Sequence, residues 1–142
     1  MIVNYNYLNQ EFSNPNEIIE EWKKLIKSTD FTLGKYVNKF ENKFSKFIGS
    51  KYCISTNNGT DALILCLKAL NIQPGDEIIT VVNTFYATVG AIVSVGAVPV
   101  FCDCDDRYQI DINDIKRKIT KKTKAIIPVH WGGASPDMYK IM

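Results

Sequence analysis

Hydrophobic and polar positions follow two rhythms along this chain. From Asn16 to Lys27 the apolar positions Ile18, Ile19, Trp22, Leu25 and Ile26 share one helical face. Phe31-Thr32-Leu33-Gly34 breaks that pattern. A second amphipathic helix is predicted from Val37 to Ile48, with Val37, Phe40, Phe44, Phe47 and Ile48 inward and lysines outward, ended by Gly49. Residues 1–12 alternate poorly and read as an extended arm. Beyond Gly49 the rhythm becomes strand, helix, strand. Tyr52–Thr56 reads as a first strand and residues 60–70 as a buried helix. Glu77–Val82 reads as a second strand, Phe85–Val95 as a helix of small residues closed by Gly96, and Ala97–Cys102 as a third strand. Pro99, which cannot donate to a ladder, places that third strand at an edge. Asp111 is an N-cap for a short helix bearing Ile112, Ile115 and Ile119, and Lys124–Val129 is a fourth strand before His130-Trp131-Gly132-Gly133.

Apolar strands alternating with helices indicate an α/β fold, a largely parallel sheet with helices on both faces. Ligands of such sheets sit where the carboxyl ends of strands meet helix N-termini. Four segments are expected to converge there: Asn57–Thr60, Asn83–Tyr86, Asp103–Asp106 and His130–Gly133. The first is the most telling. The turn Asn57-Asn58-Gly59-Thr60, followed at once by an apolar helix, aims free N–H groups and a helix dipole at one point, which suits a phosphate. Gly59 allows close approach, and Thr60 adds a hydroxyl while starting the helix. Asn58-Gly59 also fits a hairpin turn, although the residues after it are helical rather than alternating. A plain strand-to-helix connection without a ligand has the same local sequence.

Composition narrows the classes. The chain has 142 residues, 46% hydrophobic and 23% charged, enough to bury one core. With 17 basic against 15 acidic residues its net charge is +2, which points to neither nucleic acid nor an anionic membrane surface. The N-terminal sequence has no signal-peptide pattern and no stretch has membrane-spanning length, so the expected setting is cytoplasmic, with the sequon at Asn58 idle and the cysteines reduced. Cys53, Cys66, Cys102 and Cys104, with His130 distant, lack metal-ligand spacing and read as buried small hydrophobes. There is no G-x-G-x-x-G and no G-x-x-x-x-G-K, which disfavours dinucleotides and P-loop nucleotides. The residues themselves lead as far as a small, phosphorylated, aromatic ligand.

The succession GKYVNKFENKFSKFIG, NGTDALILCLKAL, PGDEIITVVNTFYAT, GAVPVFCDCD and TKAIIPVHWGG resembles the DegT/DnrJ/EryC1/StrS family of pyridoxal-phosphate-dependent sugar aminotransferases, from about Phe31 onward. The resemblance implies the large domain of the type I aminotransferase fold. It divides the chain into an N-terminal arm and helix, residues 1–36, and the first part of the cofactor-binding domain, residues 37–142. It implies pyridoxal 5'-phosphate as cofactor, with Gly59 and Thr60 holding the phosphate and Phe85 stacking on the pyridine ring. His130 falls beside the cofactor and Trp131 near the substrate, each with a structural role equally open. Asp103 caps a turn. The implied partners are a nucleotide-linked keto-sugar, glutamate as amino donor and a second copy of the chain as homodimer, with no nucleic acid, membrane or metal.

The family's aspartate for the pyridine nitrogen, its glutamine and its Schiff-base lysine are expected beyond Met142, so residues 1–142 alone are expected to be inactive. Within the family a dehydratase replaces that lysine by histidine, and these residues leave that alternative open. A non-catalytic binding or regulatory protein that keeps the phosphate turn is the rival from another class.

Overall fold

A strand that must run parallel to its neighbour needs a crossover to carry the chain back to the starting edge, and here helices supply it. The computed structural model describes residues 5–142. The chain divides into two units, Met1–Ser55 and Thr56–Met142.

In the first unit the described elements are helices α1 (Leu8–Glu11), α2 (Asn16–Ser28) and α3 (Lys35–Ile48). Asp30 organises the entry to α3: its carboxylate accepts the Lys35 N–H at 2.9 Å, one of the donors a helix start leaves free. Gly34 is required there, because a Cβ would stand 2.0 Å from Asp30 Oδ1. The Tyr36 hydroxyl donates to Glu21 Oε2 at 3.0 Å, tying α3 to α2. The helix boundaries follow the apolar periodicity, but the inward face expected for α3 is not covered. Phe40, Phe44, Phe47 and Ile48 are exposed, Phe47 at 86%, with Phe40 and Phe44 stacked on each other at 5.5 Å. Periodicity shows that a face is apolar; it does not supply the surface that buries it.

Tyr52–Thr56 forms no strand. A strand requires a ladder partner, and among the described residues none pairs with it. One of its donors turns to a side chain instead, the Ser55 N–H to Glu41 Oε1 at 2.7 Å.

The second unit is built on β1 (Glu77–Val81), which lies between β2 (Val98–Cys102) and β3 (Thr123–Ile127) and is parallel to both. Ile79 stands opposite Val100 on one side and Ile126 on the other. Pro99 is accordingly on an edge strand, where its missing N–H costs no ladder bond. Successive β1 side chains go to opposite faces. Ile78 packs with Leu67 of α4 (Gly59–Ala69) and with Ala91 and Ile92 of α5 (Tyr86–Ser94). Ile79 and Val81 pack with Cys102, Ile110 and Ile115 of α6 (Ile112–Lys118), joined by Ile141 of α7 (Met138–Ile141). Each fully buried isoleucine contributes about 1.5–3 kcal/mol by leaving water, so β1 is the hydrophobic axis of the unit. Gly96, at φ 80°, ends the α5 segment in a left-handed turn that feeds β2. Of the cysteines, Cys102 is buried, and that burial pushes its thiol up to about 11. Cys66, expected to be buried, is exposed, and Cys53 and Cys104 are only partly buried.

α6 is fixed by Asp114, a carboxylate buried to 4% exposure. It accepts the Asp103 N–H at 2.8 Å and pairs with Arg117 at 3.0 Å and Lys118 at 2.9 Å. Lys118 also donates to the Phe101 carbonyl, so the cluster joins α6 to β2. The Asp103 N–H first, then Lys118 and Arg117, hold the Asp114 carboxyl down to about 2 from its ordinary 3.8. A depressed pKa stabilises the fold fully above the ordinary value, and that contribution is lost as pH falls toward about 2. Melting temperatures recorded from pH 5 to pH 2 should therefore fall for the parent protein. In Asp114→Asn the starting value should be lower and the fall over that interval shallower. An equally steep fall in the variant would contradict this account of the cluster.

Candidate functional site at the carboxyl edge of the sheet

Because the three strands are parallel, the segments that follow them leave from one edge. Residues 82–85 follow β1, Asp103 onward follows β2, and residues 128–133 follow β3. α4 reaches β1 through the short turn after Ala69 and packs on α5, so both helices run back against the strands. Their N-termini therefore open on that same edge. All four segments singled out by the sequence belong to it.

At the start of α4, Asn58 is the N-cap, extended at φ −160°. Its Oδ1 accepts the Asp61 N–H at 2.9 Å, and its Nδ2 donates to Asp61 Oδ2 at 3.1 Å, a reciprocal cap. The helix thus begins one residue before Thr60, and the cap is Asn58. An Asn three residues ahead of an acidic residue was the signal for it. With Asp61 and Ala62 satisfied by Asn58, the amides of Gly59 and Thr60 take no acceptor among the described residues. They project from the positive end of the helix. Gly59 has no left-handed φ, and a Cβ built on it meets no atom within 4 Å. Neither backbone conformation nor the chain's own packing calls for glycine at this position. The bare Cα opens onto free space directly before two unclaimed N–H donors.

Phe85 is the N-cap residue of α5, with no side-chain cap bond, and its ring is 63% exposed against Tyr86 at 4.2 Å between centroids. Behind it, the Thr84 and Thr88 hydroxyls share a hydrogen bond at 2.8 Å that closes the first turn of α5. An exposed flat ring on a turn fixed in this way is available to a planar ligand.

After β3 the chain makes a single 3-10 turn, Trp131–Gly133, which His130 enters. Gly132 and Gly133 both take positive φ, 61° and 82°, values that favour glycine. His130 is exposed and Trp131 is 44% exposed. Asp103 accepts the Cys104 N–H at 2.9 Å, a bond to its own neighbour. A residue that sequence reasoning passed over is Gln109. It is buried, and it bonds the Trp131 carbonyl from the hairpin that follows β2. A lone amide in a polar loop carries no sequence signal.

The model of the DegT/DnrJ/EryC1/StrS aminotransferase family matches residues 13–142. The spore coat polysaccharide biosynthesis protein SpsC of Bacillus subtilis is 42% identical over 127 residues, 89% of this chain and 33% of that protein. The dTDP-3-amino-3,6-dideoxy-alpha-D-galactopyranose transaminase of Aneurinibacillus thermoaerophilus is 44% identical over 126 residues, 88% of this chain and 35% of that protein. Among solved structures, NtdA from Bacillus subtilis with bound cofactor PMP superposes with a TM-score of 0.87 at 37% identity, covering 89% of this chain and 29% of that one. The chain spans about a third of the length of the curated relatives it matches. Over that span the chain belongs to the DegT/DnrJ/EryC1/StrS aminotransferase family.

Proposed function

We propose that these residues are the N-terminal part of a pyridoxal-phosphate-dependent enzyme that transfers an amino group, with glutamate as donor, to a keto group of a nucleotide-linked deoxysugar. The protein acts in the cytoplasm as a homodimer, and residues 37–142 are the first part of its cofactor-binding domain. The observation that carries the reading is Gly59. A glycine that its own chain does not require, set beside two unclaimed amides at a helix N-terminus, fits a phosphate brought into backbone contact. Relatives add the chemistry: one is a transaminase of a dTDP-linked amino sugar, and a structural neighbour holds PMP.

The residues present fit the cofactor. The Gly59 and Thr60 amides and the Thr60 hydroxyl would hold its phosphate, which the α4 dipole also favours. Phe85 would lie against its ring, contributing dispersion and orientation without exchanging protons. His130 and Trp131, on the turn after β3, would border the cofactor and the sugar. When bound, the group supplies the electron sink that carries nitrogen between donor and acceptor. No lysine of residues 1–142 stands in the context that the family resemblance gives the covalent anchor, so on this reading these residues alone perform no transfer.

In the full-length protein, Thr60→Val keeps volume and removes one hydroxyl, and it should weaken pyridoxal phosphate binding by about 1–3 kcal/mol. An unchanged titration would remove Thr60 from the phosphate site. Replacing Phe85 by alanine should lower cofactor affinity and alter the absorbance of the bound cofactor, with tyrosine restoring more than leucine. Equal behaviour of tyrosine and leucine would reduce Phe85 to packing. The reaction itself is tested by supplying a nucleotide keto-sugar and glutamate. Release of 2-oxoglutarate matched by an amino-sugar nucleotide is expected, and a deoxygenated sugar without nitrogen would overturn the assignment in favour of a dehydratase.

A further inference from the structure

Gln109 is 1% exposed, yet it sits in a loop of charged residues at the carboxyl edge. Its backbone is held on both sides. Its N–H reaches Asp105 Oδ1 at 2.9 Å, its carbonyl accepts the Asp105 N–H at 2.7 Å, and Cys104 bridges Ile110 in antiparallel fashion just outside. Tyr108, at φ 61°, makes the sharp turn that brings residue 109 inward. The side chain is therefore presented from a rigid hairpin. Its Nε2 donates twice at 3.2 Å, to the Arg107 carbonyl in its own hairpin and to the Trp131 carbonyl in the turn after β3. Two carbonyl acceptors fix which end of the amide is the nitrogen.

Its Oε1 is buried without a partner among the described residues. A buried acceptor with no donor is unfavourable, so the amide is costly for folding taken alone, and an apolar side chain of the same length would avoid that penalty. The group is held for its two N–H donors. One of them reaches across from the β2 segment to the β3 segment at the turn that carries His130 and Trp131.

We propose that Gln109 is a positioning residue, which sets the His130–Gly133 turn, and through it Trp131, for the sugar substrate. The substrate part of this inference rests on the aminotransferase reading; the tie to Trp131 does not. Gln109→Met has similar length and no donor, and Gln109→Asn keeps the donors on a shorter arm. Both are made in the full-length protein labelled with 5-fluorotryptophan, the Trp131 resonance being assigned by its loss in Trp131→Phe. Gln109→Met should move or broaden the Trp131 fluorine line in the cofactor-free protein. The dissociation constant for pyridoxal phosphate should rise less than the KM does, because the α4 turn is untouched. The KM for the nucleotide keto-sugar should rise about tenfold with little change in kcat, the scale of one lost hydrogen bond. Should Gln109→Met not fold, Gln109→Asn decides by the same readings, with a shifted Trp131 line expected. An unmoved Trp131 line, or a loss of cofactor affinity in step with the KM, overturns the proposal. If the parent protein does not turn over any nucleotide keto-sugar, the functional reading fails by itself and the Trp131 line alone judges the role of Gln109.

Discussion

Parallel pairing of β1 with β2 and β3 is the constraint from which the rest of the second unit follows. With β1 buried on both faces, Ile78 on one and Ile79 and Val81 on the other, neither its register nor its direction can change without exposing isoleucine. Parallel direction then obliges each connection to return by a crossover, and the returning helices begin where strands end. Phe85 and the His130–Gly133 turn follow strand ends, and the turn at Asn58–Thr60 joins their edge because α4 runs back along β1 before entering it. That they share one edge, despite wide separation in sequence, is a consequence of topology.

Within that edge the polar groups divide into those the chain satisfies itself and those it leaves free. Asn58 claims the amides of Asp61 and Ala62, Asp114 claims the Asp103 N–H, and Gln109 claims two carbonyls. The Gly59 and Thr60 amides stand outside these arrangements among the described residues. Buried structure is usually closed with respect to hydrogen bonds. Donors left open at a helix N-terminus, beside a glycine with nothing against its Cα, support the proposal that this turn takes an anion.

Much of this was legible in the sequence. The apolar runs 77–82, 97–102 and 124–129 are strands within a residue or two, because a strand in a parallel sheet reads as an unbroken apolar run; of the three, β1 is the one buried along nearly its whole length. Asp111 caps its helix as its residue type suggests. Tyr52–Thr56 has the composition of a strand and is not one, since pairing depends on a neighbour that composition does not reveal. The apolar face of α3 was readable, its exposure was not. Gly59, Thr60 and Phe85 could be named because turn chemistry and a family resemblance converged on them. Gln109 could not, since its importance comes from a contact 22 positions away.

The central claim is that the free amides of Gly59 and Thr60 exist to bind the cofactor's phosphate. It is tested most directly by following those two amide resonances in the full-length, isotope-labelled protein during titration with pyridoxal phosphate and, separately, with pyridoxal. Both amides should move strongly downfield with the phosphorylated ligand and stay in place with pyridoxal, as expected for N–H groups donating to an anion. Amides that stay in place with both ligands, or move equally with both, would contradict the account.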